Sequence, residues 1–322
     1  MKIGILFPGY RSHFVGMGKE LYDESRIMQE YFEEAANCLS VNFVKLCFAS
    51  SDAELGKMQN AYPATFLVSC AIYALLKEEG IKADIVAGYN LGEYAALHAA
   101  GGISFPDGLY LLSKYANFYE EALPALDVGI LHIKGISTHT LEDACRQASE
   151  GQYSAHIALY NSLTDHIVSG NTQALEVVRG IIAADPDTSI KELSVAVGLH
   201  SPLMNQVMEN QAIYLEKVDF KDLRIPLICS AQSCIVENAE QVRKRIIEHI
   251  NTPINWAKVV DALSPYDLVI EVGPGSTLTA MVKEKYPDKL CISINKKSDI
   301  IDLKKMIEDA QPTIAGDSNG TL

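Results

Sequence analysis

Residues 88–92 read Gly-Tyr-Asn-Leu-Gly and sit between an apolar run, ADIVAG, and an Ala-rich segment, LGEYAALHAAGG. A Gly-x-Ser-x-Gly turn at such a junction is a nucleophile elbow, which lifts its central serine from a strand-to-helix corner. The central residue here is Asn90, and an amide is not a nucleophile. Among residues with a side chain, Asn tolerates positive φ best, so Asn90 preserves the corner while removing its chemistry. The helix start behind it leaves backbone N–H groups outward, where a carbonyl oxygen or oxyanion is stabilised. Gly-rich corners are common in α/β proteins, so the turn alone does not define a site.

Two further stretches carry candidate chemistry. GLHSPLM places His200 before Ser201-Pro202, and a histidine at the mouth of a loop is a natural general base. By spacing alone, His200 is an ordinary loop histidine. EVGPGSTL, residues 271–278, ends a strand in a Gly-Pro-Gly turn and carries no nucleophile; it reads as a tight crossover.

The elements that must position these residues follow from the hydrophobic pattern. KIGILFP is a short buried strand that breaks at Pro8-Gly9, with a helix beginning near Gly16–Gly18. ATFLVSCAIYALL has 13 residues, too few to span a bilayer, and reads as a buried helix stopped by Gly80. SFPDGLYLLSKYANFYEEAL is a helix with Ser104 as cap and Pro106 in its first turn. Residues 128–197 then read β-α-β-β-α-β, the ferredoxin-like split unit. Helices and strands alternate again through PLMNQVMENQAIYLEKV, IPLICS, AEQVRKRIIEHI, DLVIEVG, TLTAMVKEKY and LCISIN. Such alternation predicts an α/β fold with a mostly parallel sheet. Residues 1–127 and 198–322 form its large part, 128–197 an inserted small part, and 311–322 a flexible polar tail.

Composition narrows the class. The 322 residues are 48% hydrophobic and 21% charged, ordinary for a globular chain with a large core. A net charge of −14 argues against a nucleic-acid surface; the densest basic cluster, Arg243–Arg245, reads as a solvated helix face. No secretory leader or membrane span is expected. Seven scattered cysteines lack framework or metal-ligand spacing, which fits reduced thiols in the cytoplasm and no metal.

Nearly end to end, the chain resembles the malonyl-CoA:acyl-carrier-protein transacylase family, including the acyltransferases of polyketide synthases. ILFPGYRSHFVGMGKEL resembles that family's opening FPGQGSQ-x-x-GMG; GYNLGEYAALHAAGG resembles its elbow GHSLGEYAAL-x-AAG. YNSLTDHIVSGN, GLHSPLM, TPINWAKVV and EVGPGSTLT resemble four further signatures in the same order. The resemblance implies a hydrolase-like core with a ferredoxin-like insert and a cleft between them. It implies an acyl-CoA or acyl-carrier-protein thioester as ligand, a carrier protein as partner, and no cofactor. In the family, an elbow serine takes the acyl group, a histidine acts as base and then acid, and backbone N–H groups stabilise the oxyanion.

Carried onto this chain, the base falls on His200 and the serine on Asn90. The resemblance gives the oxyanion position to the N–H groups of Tyr10 and Leu91, Tyr10 replacing a glutamine. Tyr62 replaces a second glutamine and Tyr89 the histidine before the serine; Asn161 is retained, and the carbonyl that orients the base falls near His249. Tyr115 falls where malonyl-specific members place the arginine that forks the free carboxylate. Lys114 beside it points about a quarter turn away. Four tyrosines at pocket positions imply a remodelled, neutral or aromatic-lined acyl site. The expected function is an acyl-thioester-binding member without serine-ester chemistry. An editing-type hydrolase using His200, and an ordinary acyltransferase with a deliberate Ser-to-Asn change, stand as alternatives.

Overall fold

The chain folds around two sheets in a computed structural model that describes residues 1–122, 127–193 and 199–310. Its strands are β1 (Ile3–Phe7), β2 (Ile85–Gly88), β3 (Val128–Lys134), β4 (Ala155–Tyr160), β5 (Asp165–Asn171), β6 (Ser189–Glu192), β7 (Leu227–Cys229), β8 (Cys234–Val236), β9 (Ile254–Asn255), β10 (Leu268–Val272) and β11 (Leu290–Ile294). The large sheet runs β11-β10-β1-β2-β7-β8 and is parallel except for the β7–β8 pair. Every residue of β1, β2 and β10 is buried, as parallel strands covered on both faces require. The long helix Met58–Glu78 is buried along most of its length and packs beside the helix Phe105–Ala122.

Register decides where the turns meet. Phe7 pairs with Gly88 and Leu6 with both Ala87 and Glu271. The carboxyl ends of β1, β2 and β10 therefore finish level, and the turns at Pro8–Ser12, Tyr89–Leu91 and Gly273–Ser276 rise side by side. The crevice outside the carboxyl ends of such strands is the usual binding place of an open α/β sheet.

The small sheet runs β6-β3-β5-β4-β9. Its first four strands have the ferredoxin-like order, and the helices Thr138–Ala148 and Thr172–Ile182 pack against each other on one face. Alternation along the strands divides their side chains. Leu131, Ile133, Ile157 and Val168 point into a core of their own with Leu141 and Val178. Ile130, Leu159 and Ile167 point the other way, into the main core and the cleft.

Three features differ from the sequence reading. β8 and β9 were not anticipated, because runs of three and two residues carry no periodic signal. The helices Trp256–Ala262 and Lys297–Asp309 are further unanticipated elements. PLMNQVMENQAIYLEKV is not one helix: Pro202–Met204 is a 3₁₀ turn and the α-helix covers Asn205–Leu215. The tail 311–322 and the end of the expected insert, residues 194–197, lie outside the described residues.

Candidate active site

The elbow is built by exclusion of side chains. A Cβ on Gly88 would stand 2.1 Å from Glu93 N, and one on Gly92 2.1 Å from the Phe7 carbonyl oxygen. These contacts let the helix Gly92–Ala99 start against β1 and β2. Between the glycines Asn90 has φ 55°, the left-handed region. It is 7% exposed and faces a cavity of about 200 Å³. Among the described residues, the backbone N–H groups of Tyr10 and Leu91 have no acceptor. The Gly9 turn presses against the elbow so closely that a Cβ on Gly9 would meet the Tyr89 carbonyl at 2.2 Å.

His200 lies at φ 47° and is 1% exposed; its neighbour Leu199 lines the cavity. Its Nδ1 is 2.7 Å from the His249 carbonyl oxygen. A carbonyl only accepts, so Nδ1 carries the hydrogen and Nε2 the lone pair. Nε2 is buried without a hydrogen-bond partner. Burial pushes the His200 pKa down to about 4, against the opposing pull of the His249 carbonyl. The imidazole is therefore neutral at pH 7 and able to accept a proton.

The cavity wall is mainly apolar. Tyr10 and Tyr62 stand edge to face, 5.2 Å between ring centroids, and Ile130, Leu159 and Ile167 close the opposite side. Tyr115 does not join this wall. It is 2% exposed and lies behind Tyr62, rings tilted and 5.9 Å between centroids, with Tyr119 a further 5.2 Å on. A long aromatic side chain at position 62 occupies the space in front of it, so the pocket has three lining tyrosines rather than four. Lys114 lies over the rings of Tyr110 and Tyr214, away from the cavity.

Tyr89 does two things at once. Its ring packs edge-on against Trp256, 5.1 Å between centroids. Its hydroxyl donates to Asn161 Oδ1 at 2.8 Å, tying the elbow to the end of β4. Asn161 Nδ2 in turn donates to Asp165 Oδ1 at 2.9 Å, where His132 and Lys134 also converge. Asn161 thus acts in the wall between the two sheets. The EVGPGSTL turn is held by geometry: Gly273 and Gly275 have φ 136° and 93°, and the Asn295 side chain bonds both the N–H and the carbonyl of Gly275.

Two residues of the site escaped the sequence reading. Arg11 is, among the described residues, the charged one that lines the cavity, at φ 77°. Glu93 is buried beneath the elbow helix, and its role depends on a contact with Ser230, 137 residues away. Neither has a sequence-local signal beyond its neighbourhood in the elbow and the first turn.

An elbow, a buried histidine with a free Nε2 and uncommitted N–H groups beside a cavity are the furniture of acyl-transfer chemistry on a hydrolase-like sheet. The chain belongs to the acyl transferase domain family, whose sequence profile matches residues 5–310. It is 31% identical over 285 residues to the malonyl CoA-acyl carrier protein transacylase of Bacillus subtilis strain 168, covering 88% of this chain and 90% of that one. It is 28% identical over 300 residues to the transacylase of the same name from Escherichia coli K12, covering 92% and 97%. The fold matches an acyl carrier protein S-malonyltransferase from Vibrio cholerae with a TM-score of 0.91 at 24% identity, over 94% of this chain and all of that one. It also matches a malonyl-transacylase solved in complex with its type II polyketide-synthase acyl-carrier protein, at TM-score 0.90 and 25% identity, over 94% and 98% of the two chains.

Proposed function

We propose that the cleft binds an acyl thioester, presented on coenzyme A or on the phosphopantetheine arm of an acyl carrier protein in fatty-acid or polyketide biosynthesis, without forming a serine ester. The observation that carries this reading is the elbow itself. Asn90 occupies the strained corner and faces the cavity with N–H groups beside it, yet its amide nitrogen is no nucleophile. The relatives' names, and the solved complex of one transacylase with its carrier, support the carrier as partner. The acyl end lies against Tyr10 and Tyr62. Tyr115, buried at the position of the family's carboxylate-binding arginine, favours a neutral acyl group over malonyl. We further infer a working division into 1–127 with 198–322 and 128–197, and a cytoplasmic setting.

Intact-mass spectrometry after incubation with a panel of acyl-CoA thioesters tests this. The unaltered protein is expected to gain no acyl mass, and Asn90→Ser to gain one. An acyl adduct on the unaltered chain would sink the proposal.

A second reading is favoured by the state of His200. Neutral, oriented and with Nε2 free, it is arranged to activate water. Nε2 would take a proton from water as its oxygen attacks the thioester carbonyl; the C–S bond then breaks and His200 returns the proton to the departing thiolate. Positioned general bases contribute about 10²–10⁴-fold. Hydrolysis of the carrier-bound thioester should accordingly fall by about that factor in His200→Ala. An unchanged rate removes the hydrolase reading and leaves the binding one intact.

A further inference from the structure

Beneath His200 lies a buried polar set that thioester binding does not use. Glu93, on the elbow helix, is 2% exposed, and His249, just after the helix Ala239–Glu248, is 1% exposed. Glu93 Oε2 accepts from Ser230 Oγ at 2.6 Å and from the Ser230 N–H at 3.3 Å. The same oxygen stands 3.9 Å from His249 Nε2. Neither ring nitrogen of His249 has a hydrogen-bond partner. The His249 ring lies edge-on to that of His200, 4.9 Å between centroids, while its carbonyl accepts the His200 Nδ1 hydrogen. One residue thus touches the base through both its ring and its backbone, and approaches the buried acid through Nε2.

We propose that Glu93 is a positioning acid for His200: its carboxylate, acting across the His249 ring, stabilises the imidazolium that forms when His200 Nε2 takes a proton. The proposal rests on the reading of His200 as a base. The proton passes from the attacking group to Nε2 and on to the leaving thiolate; Glu93 takes none of it and contributes negative charge. A buried aspartate fills this office directly in Ser-His-Asp sets. Here a second imidazole stands between acid and base.

The groups facing Glu93 are Cys229 and Ser230 at the end of β7, His249, and Tyr94 on its own helix. Burial raises the Glu93 carboxyl to about 7, against the pull of the Ser230 hydrogen bonds. Burial, reinforced by His200, keeps the His249 ring neutral at this pH. The charge beneath the base therefore switches on through the neutral range, above the pH at which His200 itself protonates.

Histidine-ring NMR on the full chain, with the eight histidines assigned, tests the coupling with no substrate present. The His200 ¹³Cε1 signal is expected to inflect near pH 7 while the ring remains neutral. That inflection should be lost in Glu93→Gln and displaced in pH in Glu93→Asp. An inflection that survives Glu93→Gln, or is absent from the parent protein, overturns the proposal. If Glu93→Gln does not fold, Ser230→Ala replaces it: loss of that hydrogen bond should raise the midpoint, and an unmoved midpoint counts against the proposal. Because the readout needs no turnover, a present inflection with no acyl binding would fail the function reading alone.

Discussion

On the proposed reading, Asn90 and Tyr115 are single positions that change the chemistry of a site whose frame is kept. The elbow asks for a residue that accepts φ 55°, and Asn meets that demand as well as any residue with a side chain. The departure at Tyr115 is of another kind. An arginine there would not meet the cavity, because Tyr62 stands in front of it. Tyr115→Arg is expected to bury a guanidinium with no carboxylate to receive it, destabilising the protein by about 3–5 kcal/mol, the cost of an unpaired buried charge. Chemical denaturation measures this; an unchanged midpoint would mean that position 115 opens to the cavity. At this scale the sequence was legible where a type change is itself the signal, as at Asn90, Tyr10 and Tyr62. It was illegible at Glu93, because a carboxylate's role there is set by Ser230 and His249, distant in the chain and adjacent only after folding.

Elements explain why the frame tolerates these changes. β1, β2 and β10 end level through their register, and that depends on strand pairing rather than on any side chain in the cleft. The weak point is where helix meets strand without side chains. In Gly88→Ala the new methyl would run into the backbone of Gly92 and Glu93. Overpacking of that kind costs about 1–3 kcal/mol. A fall in Tm together with lost Asn90→Ser acylation is the expected outcome, the two being combined in one chain; an unchanged Tm would show that the turn can relax. Parallel strands and long helices were readable from apolar runs of five or more residues. β8 and β9 were not, since two- and three-residue strands exist only because a neighbouring edge is there to receive them.

The molecule as a whole stores opposed proton affinities in its centre. His200 titrates at about 4 when folded and near 6.5 when unfolded. The unfolded chain then binds the extra proton between those values, and stability falls as pH drops from 6.5 towards 4. His249, also depressed by burial, acts with the same sign. Glu93 opposes them: raised from 4.5 to about 7, it holds a proton in the fold that the unfolded chain has released, so its contribution falls as pH rises through that window. Two imidazoles against one carboxyl predict a net loss of Tm below pH 6.5. They also predict that Glu93→Gln gains Tm over the parent above pH 7 and not at pH 4; thermal melts across pH 4–8 check both. Topology has a consequence in time as well. β9 pairs with β4, yet Ile254 follows Tyr160 by 94 residues. At about 5–20 residues per second of synthesis, the outer edge of β4 waits roughly 5–20 s for its partner. An unpaired strand edge is a template for pairing with other chains. The newborn small sheet is therefore most exposed to its neighbours on the polysome, an exposure that ends once β9 has been made, before β10 and β11 of the large sheet exist.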